Sequence, residues 1–191
     1  MRDIIKSGLI LCIISVIVAM ALAITYSATK DIIEERKTER ASEARSQVMP
    51  YAKNFEEVKN TDFSVDVVKA VYNGIDDGKI VGRVFEVEGS GYGGLIQITV
   101  GIDNEGRITG VIIGENNETP GLGNKITKED FLNQFKGITF EQPLKAVKNP
   151  STKEEEIHIA TGATVSTEAV VDAVQAAVDV NQEIINGKED L

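Results

Sequence analysis

Four hydroxyl side chains, Thr161, Thr164, Ser166 and Thr167, fall within seven residues, interleaved with Gly162, Ala163 and Val165. At the mouth of a helix, such a run can hold a phosphate, because the first backbone N–H groups of a helix have no partner within it. Gly162 permits a sharp turn, and Ala163 is too small to block a close ligand. On these residues alone a plain capped turn is the favoured reading, with Ser166 or Thr167 as the cap and Glu168 at the positive helix end. A second run, Glu118-Thr119-Pro120-Gly121-Leu122-Gly123, reads by itself equally as a simple Pro-Gly turn or as a ligand-binding loop.

The elements that must position these residues follow from patterning. A strand is expected to end near Ala160, and a helix to run from about Thr167 to Asn186. Val170, Val174, Ala177, Val178 and Ile185 give that helix an apolar face, and Gly187 is its stop. Upstream, β patterning begins at Phe63. Val67, Val68, Ala70 and Val71 precede Asn73-Gly74, and residues 79–87 largely alternate. A glycine-rich turn surrounds Tyr92, and Leu95, Ile96, Ile98 and Val100 make another strand. Asp103-Asn104-Glu105-Gly106 turns the chain into Ile108, Val111, Ile112 and Ile113. This is a series of hairpins, hence a mostly antiparallel sheet. Thr127 reads as the N-cap of a short helix containing Phe131, and residues 145–147 and 156–159 as short strands. The class is α+β, a mostly antiparallel sheet with packed helices.

Residues 8–24 contain no charge and with Thr25 and Tyr26 approach the ~20 residues that cross a hydrocarbon core. Arg2 and Lys6 make a basic lead-in, as in a signal sequence, but the run is long for a signal core, so an uncleaved transmembrane anchor is expected. The expected organisation is a basic tail at 1–7, an anchor at 8–27, a charged, solvated helical stalk at 28–50 that Pro50 ends, and a domain at 51–191. Lys30, Arg36, Lys37 and Arg40 follow the anchor, so basic-residue counting alone does not orient it. The signal-like layout favours an extracytoplasmic domain.

The formal net charge is −10; residues 1–30 contribute +2, which leaves about −12 on the rest. Nucleic-acid binding needs concentrated lysine and arginine, so it is excluded as a function. One cysteine, Cys12, lies in the apolar run, and His158 is the single histidine. An intrachain disulfide is impossible, and a cysteine- or histidine-ligated metal centre is not expected.

Thr161-Gly162-Ala163-Thr164 followed by Val165-Ser166 resembles the flavinylation motif of the FMN-binding domain family, a Ser or Thr, then Gly-Ala-Thr, with a further hydroxyl two positions on. Gly91-Tyr92-Gly93-Gly94, the strand with Asp103 and Gly106, residues 118–123, and Phe131 to Phe135 before Lys136-Gly137 occur in family order. Within the family the chain looks most like Rnf G subunits and is similar to the C subunits of sodium-translocating NADH:quinone reductases, over roughly residues 1–187. The resemblance implies that a separate flavin transferase joins FMN through its phosphate to Thr164, with Thr161, Gly162, Ala163 and Ser166 around the phosphate. It implies that Glu118, Thr119, Gly121, Leu122 and Gly123 form a loop near the flavin, where glycines let backbone approach the ring. It further implies an electron carrier in the inner (cell) membrane, working with other integral-membrane and redox subunits of an ion-translocating ferredoxin:NAD oxidoreductase and having no catalytic residues of its own. One departure stands out: His158 occupies the position, three before Thr161, where the family usually has an acid. Two other readings remain open, a stand-alone anchored flavoprotein reductase and a non-redox interaction module of the same fold.

Overall fold

The computed structural model describes residues 2–58, 65–139, 142–149, 153 and 155–187; Phe63 lies outside them. The chain forms two units, Met1–Ala41 and Ser42–Leu191. The first consists of helix α1 (Arg2–Val48), which continues into the second unit for its last seven residues. It is long and apolar enough to cross a membrane: an 18-residue window reaches a mean hydropathy of 2.8, with every described side chain in it exposed. Pro50 follows in a turn.

The second unit is built on a five-stranded antiparallel meander. Its strands, in spatial and chain order, are β1 (Asn54–Glu57), β2 (Val68–Asp76), β3 (Lys79–Ser90), β4 (Leu95–Asp103) and β5 (Ile108–Ile113). The long helix α3 (Thr164–Asn186) covers one face. Phe85, Val87, Ile96, Ile98, Val100 and Ile102 alternate towards it and meet Val170, Val174, Ala177 and Val178. Arg83, on the same face, is buried and donates to Asn181 Oδ1 at 3.1 Å; burial lowers its pKa below the usual guanidinium value. A short helix α2 (Glu129–Leu132) and a parallel pair, β6 (Lys145–Val147) and β7 (Glu156–His158), complete the unit.

The opposite face of the sheet receives the end of α1. Val48 and Met49 are fully buried there with Val84, against Phe55, Tyr72, Val81 and Ile112. The seat is made of glycine: side chains at Gly74, Gly82 or Gly101 would run into Met49 or Val48, and one at Gly110 would press on Val48. The Thr109 hydroxyl donates to the Val48 carbonyl. Arg45 pairs with Glu86 at 2.6 Å while lying 4.3 Å from the Tyr72 ring centroid. This seating explains why β2 runs straight through Asn73-Gly74. Gly74 makes room for a methionine, and the chain reverses later, at Asp77 and Gly78, which have φ of 46° and 77°. Gly82→Ala is therefore expected to cost about 1–3 kcal/mol. Its Cβ would sit 2.5 Å from the Ile102 carbonyl and 2.6 Å from Met49 Cε. A lowered denaturant midpoint with an unchanged slope would register this; an unchanged midpoint would mean that the seat yields freely.

Two helix starts differ from the sequence expectation. Lys128 rather than Thr127 precedes α2, and Thr127 closes a 3-10 turn (Gly123–Thr127) instead, donating to the Asn124 carbonyl. Helix α3 begins at Thr164, three residues earlier than its capping residues suggested, because the turn at Gly162 (φ 84°) lets Ala163 serve as N-cap. Gly187 follows the end of α3, although in right-handed helical rather than left-handed conformation. Ile185 is partly exposed, so the apolar face stops short of it.

Candidate functional site

Strand β7 ends at His158, whose backbone is bracketed by the Gln134 amide: the His158 N–H donates to Oε1 at 2.7 Å and its carbonyl accepts from Nε2 at 3.3 Å. The His158 side chain is exposed, with Nε2 3.0 Å from the Lys148 carbonyl. Two residues later the chain turns sharply. The Ala163 N–H bonds the Ala160 carbonyl at 2.8 Å, and Gly162 takes the positive φ that this turn demands. Helix α3 then starts at Thr164 with no side-chain cap. The N–H groups of its first turn are thus left to a ligand or to water.

The four hydroxyls of the motif divide into two pairs. Ser166, only 1 % exposed, donates from Oγ to Glu118 Oε2 at 2.6 Å. Thr167, fully buried, accepts the Ala160 N–H on Oγ1 at 3.3 Å and so closes the turn from below. Thr161, exposed, and Thr164, half-buried, make no side-chain hydrogen bond among the described residues. Neither Ser166 nor Thr167 caps the helix. Both lie inside its first turns, with hydroxyls committed to the protein.

Glu118 holds the surrounding loops together. It is 6 % exposed, accepts the Ser166 hydroxyl on Oε2 and the Gly93 N–H on Oε1 at 3.0 Å. Gly91 and Gly123 lie against its carboxylate, and Gly93 against the Asn117 carbonyl, so closely that no side chain fits at any of the three. The turn at 91–94, the loop at 115–123 and the start of α3 are therefore one packed unit around a single carboxylate. The loop turns at Pro120-Gly121: the Leu122 N–H reaches the Thr119 carbonyl at 3.2 Å and Gly121 has φ 78°. Asn124 Oδ1 accepts the Gly121 N–H at 2.8 Å.

The structure brings together Glu118, Gly123 and Ser166 through these contacts, and Gly162 with Leu122, whose Cδ2 would lie 3.0 Å from a Cβ at Gly162. Thr119 and Gly121 shape the loop through their backbone. Large apolar side chains remain exposed on the same three segments: Tyr92 and Leu95 at the β3–β4 turn, Leu122 on the loop and Val165 beside Thr164. One residue at the site has no counterpart in the sequence reading. Lys125, half-buried on the 3-10 turn, donates from Nζ to the Thr161 carbonyl at 2.6 Å. These partners are 36 residues apart, and only a lysine following the Pro-Gly turn hinted at the contact.

This arrangement suits a phosphorylated flat ligand. N–H groups and a hydroxyl without partners among the described residues meet at Thr164, an ammonium stands at the motif turn, and apolar side chains lie open at its edge. Among the described residues, no cluster of His, Cys, Asp and Glu could hold a metal ion.

The comparisons agree with that chemistry. Residues 91–179 match the FMN-binding domain, and residues 1–48 match the RnfG N-terminal region. The chain is 36 % identical to the G subunit of the Na(+)-translocating ferredoxin:NAD(+) oxidoreductase complex of Acetobacterium woodii, over 94 % of this chain and 92 % of that protein. It is 34 % identical to the G subunit of the ion-translocating oxidoreductase complex of Methanosarcina acetivorans, over 93 % and 94 %. Its fold resembles that of the C subunit of the Na(+)-translocating NADH-quinone reductase from Parabacteroides distasonis, with a TM-score of 0.52 and 24 % identity over 73 % of this chain and 82 % of that one. Sharing a third of its residues with these G subunits along nearly its whole length, the chain belongs to the Rnf G-subunit family and contains that family's FMN-binding domain.

Proposed function

We propose that the protein is the membrane-anchored FMN carrier of an ion-translocating ferredoxin:NAD oxidoreductase complex, with FMN joined through its phosphate to Oγ1 of Thr164. The observation that carries this reading is the division of the hydroxyls. Ser166 and Thr167 are spent on the fold, whereas Thr164, at an uncapped helix start, makes no side-chain hydrogen bond among the described residues. When bound, the flavin supplies the redox chemistry. The chain's own residues would bind and position it: the first N–H groups of α3 and Thr161 would hold the phosphate, with Gly162 and Ala163 leaving the approach open. Glu118 and Ser166 brace the loop of Thr119, Gly121, Leu122 and Gly123, which would contact the ring.

A flavin transferase would form the Oγ1–P bond from an activated flavin dinucleotide: the hydroxyl loses its proton, the P–O–P bond of the donor breaks, and the nucleoside monophosphate leaves. A covalent link keeps the cofactor in place on the outer side of the membrane, where FMN is not supplied. Helix α1 serves as the inner-membrane anchor, which confines the flavin near the redox and integral-membrane subunits of the complex and raises its effective concentration there. Membranes from cells lacking this chain are expected to lose ferredoxin-driven NAD(+) reduction and regain it when the chain is restored; an unaltered rate would remove it from that electron path. Protease added to intact spheroplasts is expected to cleave the domain, and protection would place it on the cytoplasmic side.

A further inference from the structure

Several cations of the domain face a carboxylate. Lys53 lies against Asp76 and Asp77, Lys69 against Glu88, Arg45 against Glu86, and Arg107 against Asp103 and Glu105. Lys125, like the buried Arg83, meets a neutral acceptor instead. Its ammonium is held at 2.6 Å by a neutral acceptor, the carbonyl of Thr161, and among the described residues no acid pairs with it. An ammonium has three N–H donors, and this carbonyl engages one. The backbone of Lys125 is anchored as well: its N–H bonds the Leu122 carbonyl at 3.1 Å, in the 3-10 turn that begins at the glycine packed against Glu118. An uncompensated positive charge is thus fixed over the turn that ends in Thr164, in a protein whose net charge is −10.

We infer that Lys125 is the counter-charge of the phosphate borne by Thr164, pre-positioned by the Thr161 carbonyl before the flavin arrives. The inference rests on the reading that Thr164 carries FMN. A phosphodiester keeps one full negative charge, whereas a helix N-terminus offers only about half a positive one. A lysine with donors to spare supplies the remainder, and a charge-assisted bond to a phosphate oxygen is stronger than its bond to the carbonyl. Lys125 is a positioning residue: it orients the phosphate, and it leaves the redox step to the ring.

The test uses the full-length chain in detergent, produced with and without a flavin transferase, as wild type, Lys125→Gln and Lys125→Arg. Loading is expected to raise the melting temperature of wild type and of the arginine variant. In Lys125→Gln that gain should fall by at least half, while the unloaded form melts close to unloaded wild type. The rate of flavin incorporation should fall roughly tenfold in Lys125→Gln and recover in Lys125→Arg, as expected for loss of one charged hydrogen bond. Equal gains on loading in wild type and Lys125→Gln would overturn the inference. So would equal destabilisation of loaded and unloaded forms, the signature of a lysine that merely braces the Thr161 carbonyl. Absence of flavin from Thr164 in wild type would overturn the parent reading and this one together, and is seen before any variant is made.

Discussion

Thr164→Val is expected to abolish covalent flavin while leaving the fold intact. Valine matches threonine in shape and branching, so packing at the first residue of α3 is preserved. The Thr164 hydroxyl bonds nothing among the described residues, so its loss strands no buried partner. The unloaded variant should remain within about 0.5 kcal/mol of unloaded wild type, as for a surface substitution. The denatured protein should have its unmodified mass, and ferredoxin-linked NAD(+) reduction in membranes should fall to background, a loss of about a hundredfold or more for a missing acceptor nucleophile. Thr161→Val is the matched control. It removes the other uncommitted hydroxyl and should keep the adduct. A Thr164→Val protein that still fluoresces after denaturation would move the attachment elsewhere.

Glu118→Ala is the substitution expected to cost the domain most stability near the site. It leaves the Ser166 hydroxyl and the Gly93 N–H buried without their acceptor, and opens a void between Gly91 and Gly123. Stranded polar groups cost about 1–3 kcal/mol each, less whatever water recovers through the void, so a loss of about 2–4 kcal/mol is expected. For a domain of this size that lowers the melting temperature by roughly 5–15 °C. Flavin loading should fall with it, because Glu118 ties the 91–94 turn and the 115–123 loop to the helix that bears Thr164. Glu118→Gln keeps an acceptor for Gly93 and can donate to a rotated Ser166 hydroxyl, so it should recover most of the stability. An alanine variant melting like wild type would show that the three segments hold together without the carboxylate.

The parts of this site written in consecutive residues were legible in the sequence: residues 161–167 and 118–123 each carry local turn and helix-start chemistry. The contacts joining them were not. Glu118 meets Ser166 across 48 residues and Lys125 meets Thr161 across 36, and neither pairing leaves a periodic trace. The motif alone sets Ser166 beside the phosphate. Only the fold shows its hydroxyl turned inward to Glu118. The hairpin order emerged from alternation and turn residues, yet Asn73-Gly74 suggested a turn where Gly74 instead accommodates Met49. For the same reason the end of the charged helix looked solvated: Val48 and Met49 are two apolar residues after a polar run, and their burial depends on glycines more than twenty residues away. Strand β1, four residues with two glutamates, carries too short a pattern to detect.

The most direct test of the account is the intact mass of the denatured protein purified from its own host, with peptide mapping and in-gel flavin fluorescence. The account predicts a mass increase of FMN minus water on the peptide that contains Thr164, which would also show that the transferase accepts His158 three residues before Thr161. An unmodified, non-fluorescent protein from cells that flavinylate other chains would contradict it, as would an adduct on any other residue.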